Sequence, residues 1–68
     1  MNTNPTFASR DFVRILTKAG FVKTRQTGSH MHFVKGDRHV VVPAGRKDMK
    51  IGTARSICRQ AGLPWPPE

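Results

Sequence analysis

Three histidines, His30, His32 and His39, fall in one ten-residue stretch of a 68-residue chain. An imidazole exchanges a proton near neutral pH, so each is a candidate general acid or base. His30 follows Gly28 and Ser29, and a glycine there permits close approach of another backbone. The chain carries twelve Lys and Arg against four Asp and Glu, a net charge of +8. Histidine among cations suits one reaction in particular. The 2′-hydroxyl of RNA attacks its own neighbouring phosphate when a base removes its proton and cations stabilise the crowded negative phosphate. That reaction needs no metal and no enclosed pocket. The competing reading of a strand histidine is a structural one.

The same three histidines raise the question of a metal site. No carboxylate or second cysteine completes a ligand set around them, so neither metal nor other cofactor is expected. His32 and His39 then read as surface strand residues, available for phosphate contact. Cys58 stands alone, which leaves no internal disulfide and fits a reducing cytoplasm. The opening residues "MNTNPTFASR" lack the charged start and apolar stretch of a signal peptide, and no apolar run approaches the roughly 20 residues of a membrane span. No membrane partner is expected.

The cations gather in three places: Lys23 and Arg25 before the Gly-Ser-His turn, Arg46, Lys47 and Lys50 in a polar stretch, and Arg55 and Arg59 four residues apart further on. As a set they read either as a solvated surface or as phosphate contacts, which position nucleic acid without reading its sequence.

These residues need elements to hold them. Ser9 and Asp11 are the start signals of a helix, Ser9 as N-cap and Asp11 in the positive first turn. Phe12, Ile15, Leu16 and Ala19 follow at helical spacing, and Gly20 ends the run. From Phe21 the period becomes two. "FVKTRQT", the Gly28-Ser29 turn and "HMHFVK" form a hairpin with Met31 and Phe33 on one face and His30 and His32 on the other. Gly36-Asp37-Arg38 turns the chain again into "HVVVP", closed by Pro43. "AGRKDMK" is a loop, and a second helix starts near Lys50 with Ile51, Ala54, Cys58 and Ala61 on one stripe, widened by Ile57. Gly62 closes it.

The expected class is therefore α+β, an α-β-β-β-α domain. Both helices lie on one face of a three-stranded antiparallel sheet, and the other face stays open. A single domain is expected over residues 1–68, its core at about 9–63 and a proline-rich tail at 64–68 in which Trp65 either folds back or stays mobile. At this length folding buries only about 60% of the unfolded surface, so the core is thin. Gly28-Ser29-His30-Met31 coincides with a scar left by tag removal. With 27 residues ahead of it and a strand starting inside it, it reads as native sequence.

"GFVKTRQTGSHMHF", "VVVP" and "KDMKIGTARSICRQAGL" together resemble the HicA family of toxin-antitoxin ribonucleases, over about Ser9 to Leu63. The resemblance implies a fold like that of double-stranded-RNA-binding domains. It also implies that His30, the histidine of the Gly-Ser-His motif, is catalytic. Met31 stands where many members carry a second histidine, and "PAGRKDMK" departs from the commoner proline-histidine loop. The implied partners are an mRNA substrate, a HicB-like antitoxin that neutralises the toxin, and promoter DNA reached only through the antitoxin complex.

The sequence-based expectation is thus a metal-independent endoribonuclease toxin that cleaves mRNA. His30 is its general acid or base, and Lys23, Arg25, Ser29, His32, Lys50 and Arg55 contact RNA. The alternative is a non-catalytic RNA-binding module of the same fold, holding RNA by shape and 2′-hydroxyl contacts. A third is a small interaction protein whose basic face engages an acidic partner.

Overall fold

The computed structural model describes residues 6–67. Its elements run α1 (Ser9–Lys18), β1 (Val22–Thr27), β2 (His30–Lys35), β3 (Arg38–Pro43) and α2 (Ile51–Ala61). The strands form one antiparallel sheet in the order β1-β2-β3. This is the expected α-β-β-β-α arrangement.

Period-two alternation divides the sheet into two unlike faces. Met31, Phe33, Val40 and Val42 are buried, and they join Phe12, Ile15 and Leu16 of α1 and Ala54, Ile57, Cys58 and Ala61 of α2 in one core cluster. Full burial of each larger side chain contributes about 1.5–3 kcal/mol. The stripe of α2 begins one turn later than its sequence suggests, because Ile51 at the helix start is 44% exposed. Ile51, Gly52 and Thr53 are all exposed, so the apolar stripe is buried only from Ala54 onward.

Each hairpin closes through two residues, the first a glycine in the left-handed region: Gly28 at φ 58° and Gly36 at φ 57°. Only the first turn residue has positive φ, the II′ pattern whose twist matches that of the strands.

Ser9 does not cap α1. The N-cap is Ala8, whose backbone N–H donates to Asp11 Oδ2 at 2.8 Å, so Asp11 supports the first turn as its position suggests. Ser9 is the first helical residue and is buried. Its hydroxyl donates to the Pro43 carbonyl at 2.6 Å and accepts from the Arg46 N–H at 2.9 Å, while its own N–H donates to the Arg46 carbonyl at 2.8 Å. A second fastening joins Met49 N–H to the Phe7 carbonyl at 2.8 Å. The loop after β3 is thereby tied to the start of α1.

The far end of the sheet is held differently. Lys35 Nζ donates to the Ala19 carbonyl at the end of α1, and Arg38 Nη1 to the Gln60 carbonyl near the end of α2. Both cations sit at the negative ends of helices, where charge and hydrogen bonding favour them together. Trp65 folds back: its ring lies 5.5 Å from that of Phe7, and the Arg55 guanidinium lies 5.7 Å from its centre. No helix among the described residues is long and apolar enough to cross a membrane.

Candidate nucleic-acid site on the open sheet face

Register places the candidate residues. His30 opens β2 opposite Thr27 on one side and Pro43 on the other, and His32 stands opposite Arg25 and Val41. Residues directly opposite in an antiparallel ladder share a face, so Arg25, Thr27, His30, His32, Val41 and Pro43 lie on the side away from the helices. His30 is exposed and His32 half-buried, while Met31 between them is buried. The position between the two histidines is thus given to core packing.

The turn that presents His30 is fixed from behind. The Ala44 N–H donates to the Ser29 carbonyl at 2.6 Å, just beyond the His30–Pro43 pair. Pro43 is itself held by Ser9, so a short chain of hydrogen bonds runs from the start of α1 to the backbone beside His30.

His32 and His39 meet across the β2–β3 hairpin. His32 Nδ1 and His39 Nε2 are 2.9 Å apart, and the rings stack with centroids 5.1 Å apart and planes 21° apart. The pKa of His32 is held below its ordinary value, chiefly by desolvation, then by the charges of Arg25, His39 and His30. All of these disfavour the imidazolium.

The six sequence-predicted contact residues separate into two groups. Arg25, Ser29 and His32 gather around His30. Lys23 does not join them, because the ladder slips between Lys23 and Arg25 and pairs Lys23 with the core residue Phe33. This bulge at Thr24 turns Lys23 to the helix side of the sheet, where its Nζ donates to Gln26 Oε1 at 3.0 Å. Without the bulge, Lys23 and Arg25 would share a face, and nothing in "VKTRQT" marks it. Arg55 belongs to α2, in the helix layer, against Trp65. Lys50 is the N-cap residue of α2. It lines a hollow of about 300 Å³ with Pro43, Arg46 and Thr53, next to the end of β3.

Besides the bulge, sequence reasoning missed two parts of this arrangement. Ser9 reads as a cap because serine at a helix start usually is one. The direct contact of His32 with His39 has a sequence signal only once the two-residue turn at Gly36 fixes the register. Among the described residues no group of three His, Cys, Asp or Glu could hold a metal ion.

A larger hollow, of about 710 Å³, lies at the opposite end between the β2–β3 turn and the helix ends, lined by Lys35, Arg38 and Gly62 among others. No histidine lines it.

A small basic sheet, covered on one side by two helices and open on the other, defines an α+β protein of the double-stranded-RNA-binding-domain-like class. A family model described as the HicA toxin of bacterial toxin-antitoxin systems matches residues 9–63, and the chain belongs to that family. It is thus a toxin of a toxin-antitoxin system, which implies an antitoxin partner. Comparison with curated proteins finds no match.

Proposed function

We propose that the protein is a metal-independent endoribonuclease that cleaves mRNA and so blocks translation, with His30 as a general acid or base at an open site. The observation that carries this reading is the placement of His30: exposed, on a glycine-defined turn braced by the Ala44–Ser29 bond, and on one face with Arg25 and His32. Transphosphorylation needs only proton transfer and charge stabilisation at phosphate, and an open face with imidazoles and a guanidinium supplies both. Arg25, Ser29 and His32 contact the RNA nearest His30, and Lys50 contacts it at the start of α2. Lys23 and Arg55 extend the positive field around the sheet edge.

A HicB-like antitoxin covers this face, its acidic groups complementing the charge of +8. Promoter DNA is reached through that complex alone. Residues 9–63 are the functional unit and 64–68 an extension, of which Trp65 packs against Phe7.

The test incubates a long RNA with the native protein or with His30→Ala, in excess chelator, and analyses fragment ends. Cleavage by the native protein alone, leaving cyclic phosphates, is the expected result. Full activity in His30→Ala overturns the assignment. Intact RNA with both proteins, while a shift assay still detects binding, favours the non-catalytic RNA-binding module.

A further inference from the structure

Transphosphorylation moves two protons in opposite directions. One leaves the attacking 2′-hydroxyl, and another must reach the departing 5′-oxygen. A single imidazole performs both transfers only in sequence. The open face holds a second imidazole on the same strand and a third bonded to it.

Resting on the ribonuclease reading above, we propose that this chain divides the work: His32 is the general base, His39 the positioning residue that orients it, and His30 the general acid.

The geometry is the argument. His30 and His32 are two residues apart on β2, about 6.6 Å along the strand. A phosphate standing over the face between them presents its attacking oxygen to one ring and its leaving oxygen to the other, through hydrogen bonds of about 2.7–2.9 Å. Arg25, opposite His32 on β1, lies beside that position to neutralise charge on the phosphate. The bond between His32 Nδ1 and His39 Nε2 fixes the His32 ring. With His32 Nδ1–H as donor, Nε2 of His32 keeps the lone pair that a base requires. Once Nε2 is protonated, the bond to His39 becomes charge-assisted and strengthens.

The charges facing His32 favour this division. Desolvation, then Arg25 on β1, depress its affinity for protons; His39 on β3 and His30 on β2 add to this only in their charged forms, and it is neutral His39 that accepts from His32 Nδ1–H. A lowered proton affinity favours the neutral form that a base requires. The helices lie on the other face and add no group.

The step balances. His32 Nε2 takes the 2′-hydroxyl proton, and the electron pair of that oxygen forms the new bond to phosphorus. The bond from phosphorus to the 5′-oxygen breaks with its pair on that oxygen, which takes a proton from the His30 imidazolium. The products are a 2′,3′-cyclic phosphate and a free 5′-hydroxyl, with no oxidant and no metal consumed. Exchange with solvent restores both imidazoles.

The test uses a short RNA spanning a site first mapped with the native protein, made with oxygen or with sulfur at the 5′ position of the cleaved linkage. A thiolate leaves without a proton, so the sulfur substrate relieves the need for an acid and leaves the need for a base. His30→Ala loses about 10²- to 10⁴-fold on the oxygen substrate and recovers most of it on the sulfur substrate. His32→Ala loses a similar factor on both. His39→Ala keeps partial activity and shifts the ascending limb of the pH-rate profile. Circular dichroism confirms that each variant folds. His32→Ala cleaving the oxygen substrate within a few-fold of native, with an unchanged pH profile, overturns the proposal. So does the reverse pattern, rescue of His32→Ala and not of His30→Ala. A native protein that leaves even the mapping RNA uncut fails the ribonuclease reading itself, a result distinct from either.

Discussion

The two faces of the sheet are drawn from alternate residues of the same strands, yet they answer to different constraints. On the covered face Met31, Phe33, Val40 and Val42 meet both helices and carry no titratable group. On the open face His30, His32, His39 and Arg25 meet solvent and one another. One face is chosen for volume and the other for charge and proton affinity. Packing and surface charge are therefore separable in this small chain at a resolution of one residue, since the neighbours of His30 and His32 along β2 are core residues.

The largest effect expected from breaking that separation is on the covered face. Phe33 is fully buried at the centre of the core. Phe33→Ala removes most of its volume from a core with little else to collapse into the space, at a cost of about 3–5 kcal/mol. Native stabilities are about 5–15 kcal/mol, and a domain of this size lies at the low end. Chemical denaturation of Phe33→Ala is expected to show a transition shifted to very low denaturant or none at all. A midpoint near that of the native protein would mean that the two faces are not divided as described.

Much of this division is legible in sequence because it rests on periodicity. The stripe Phe12, Ile15, Leu16 and the alternation His30, Met31, His32, Phe33 each have one satisfactory solution, and glycines at 28, 36 and 62 mark the turns and the end of α2. Features fixed by distant partners are not legible. Ser9 has the chemistry of a cap, and only the arrival of Pro43 and Arg46, more than thirty residues on, gives its hydroxyl a different role. The bulge at Thr24 depends on how β1 settles against β2, and it divides two cations that simple alternation would put together. For the candidate site, the placement of His30 at the start of β2 was legible from its turn. The His32–His39 contact depended on hairpin register.

That bulge offers a sharper version of the comparison on one strand. Arg25 faces the open side and Lys23 the helix side, two residues apart and equal in charge. If RNA lies on the open face, Arg25→Ala removes a phosphate contact and lowers the slope of log affinity against log salt by about 0.7–0.9, the contribution of one neutralised phosphate. Lys23→Ala is expected to weaken binding less and to leave that slope nearly unchanged. Binding titrations of both variants across a salt series decide it. Equal slopes for the two variants would place the RNA over the edge of β1, not on the open face.

The smallest effect concerns pH, and its sign follows from the environment of His32. Desolvation, then Arg25, His39 and His30, hold its proton affinity in the folded protein below the ordinary value. Unfolding releases it, so the unfolded chain binds a proton at His32 at a pH where the folded chain does not. Stability rises with pH wherever the unfolded state binds more protons. The contribution of His32 is therefore undiminished above its ordinary pKa of 6.5 and declines as pH falls through that value toward the folded one. The native protein should melt at a lower temperature near about pH 5 than near about pH 7.5, and His32→Gln should narrow that difference. Phe33→Leu, on the covered face, should lower the melting temperature by a similar amount at both pH values, because the three histidines lie on the other face. A difference as wide in His32→Gln as in the native protein would mean that the acid sensitivity lies elsewhere. A narrowed one assigns the cost to the imidazole of His32 on the open face.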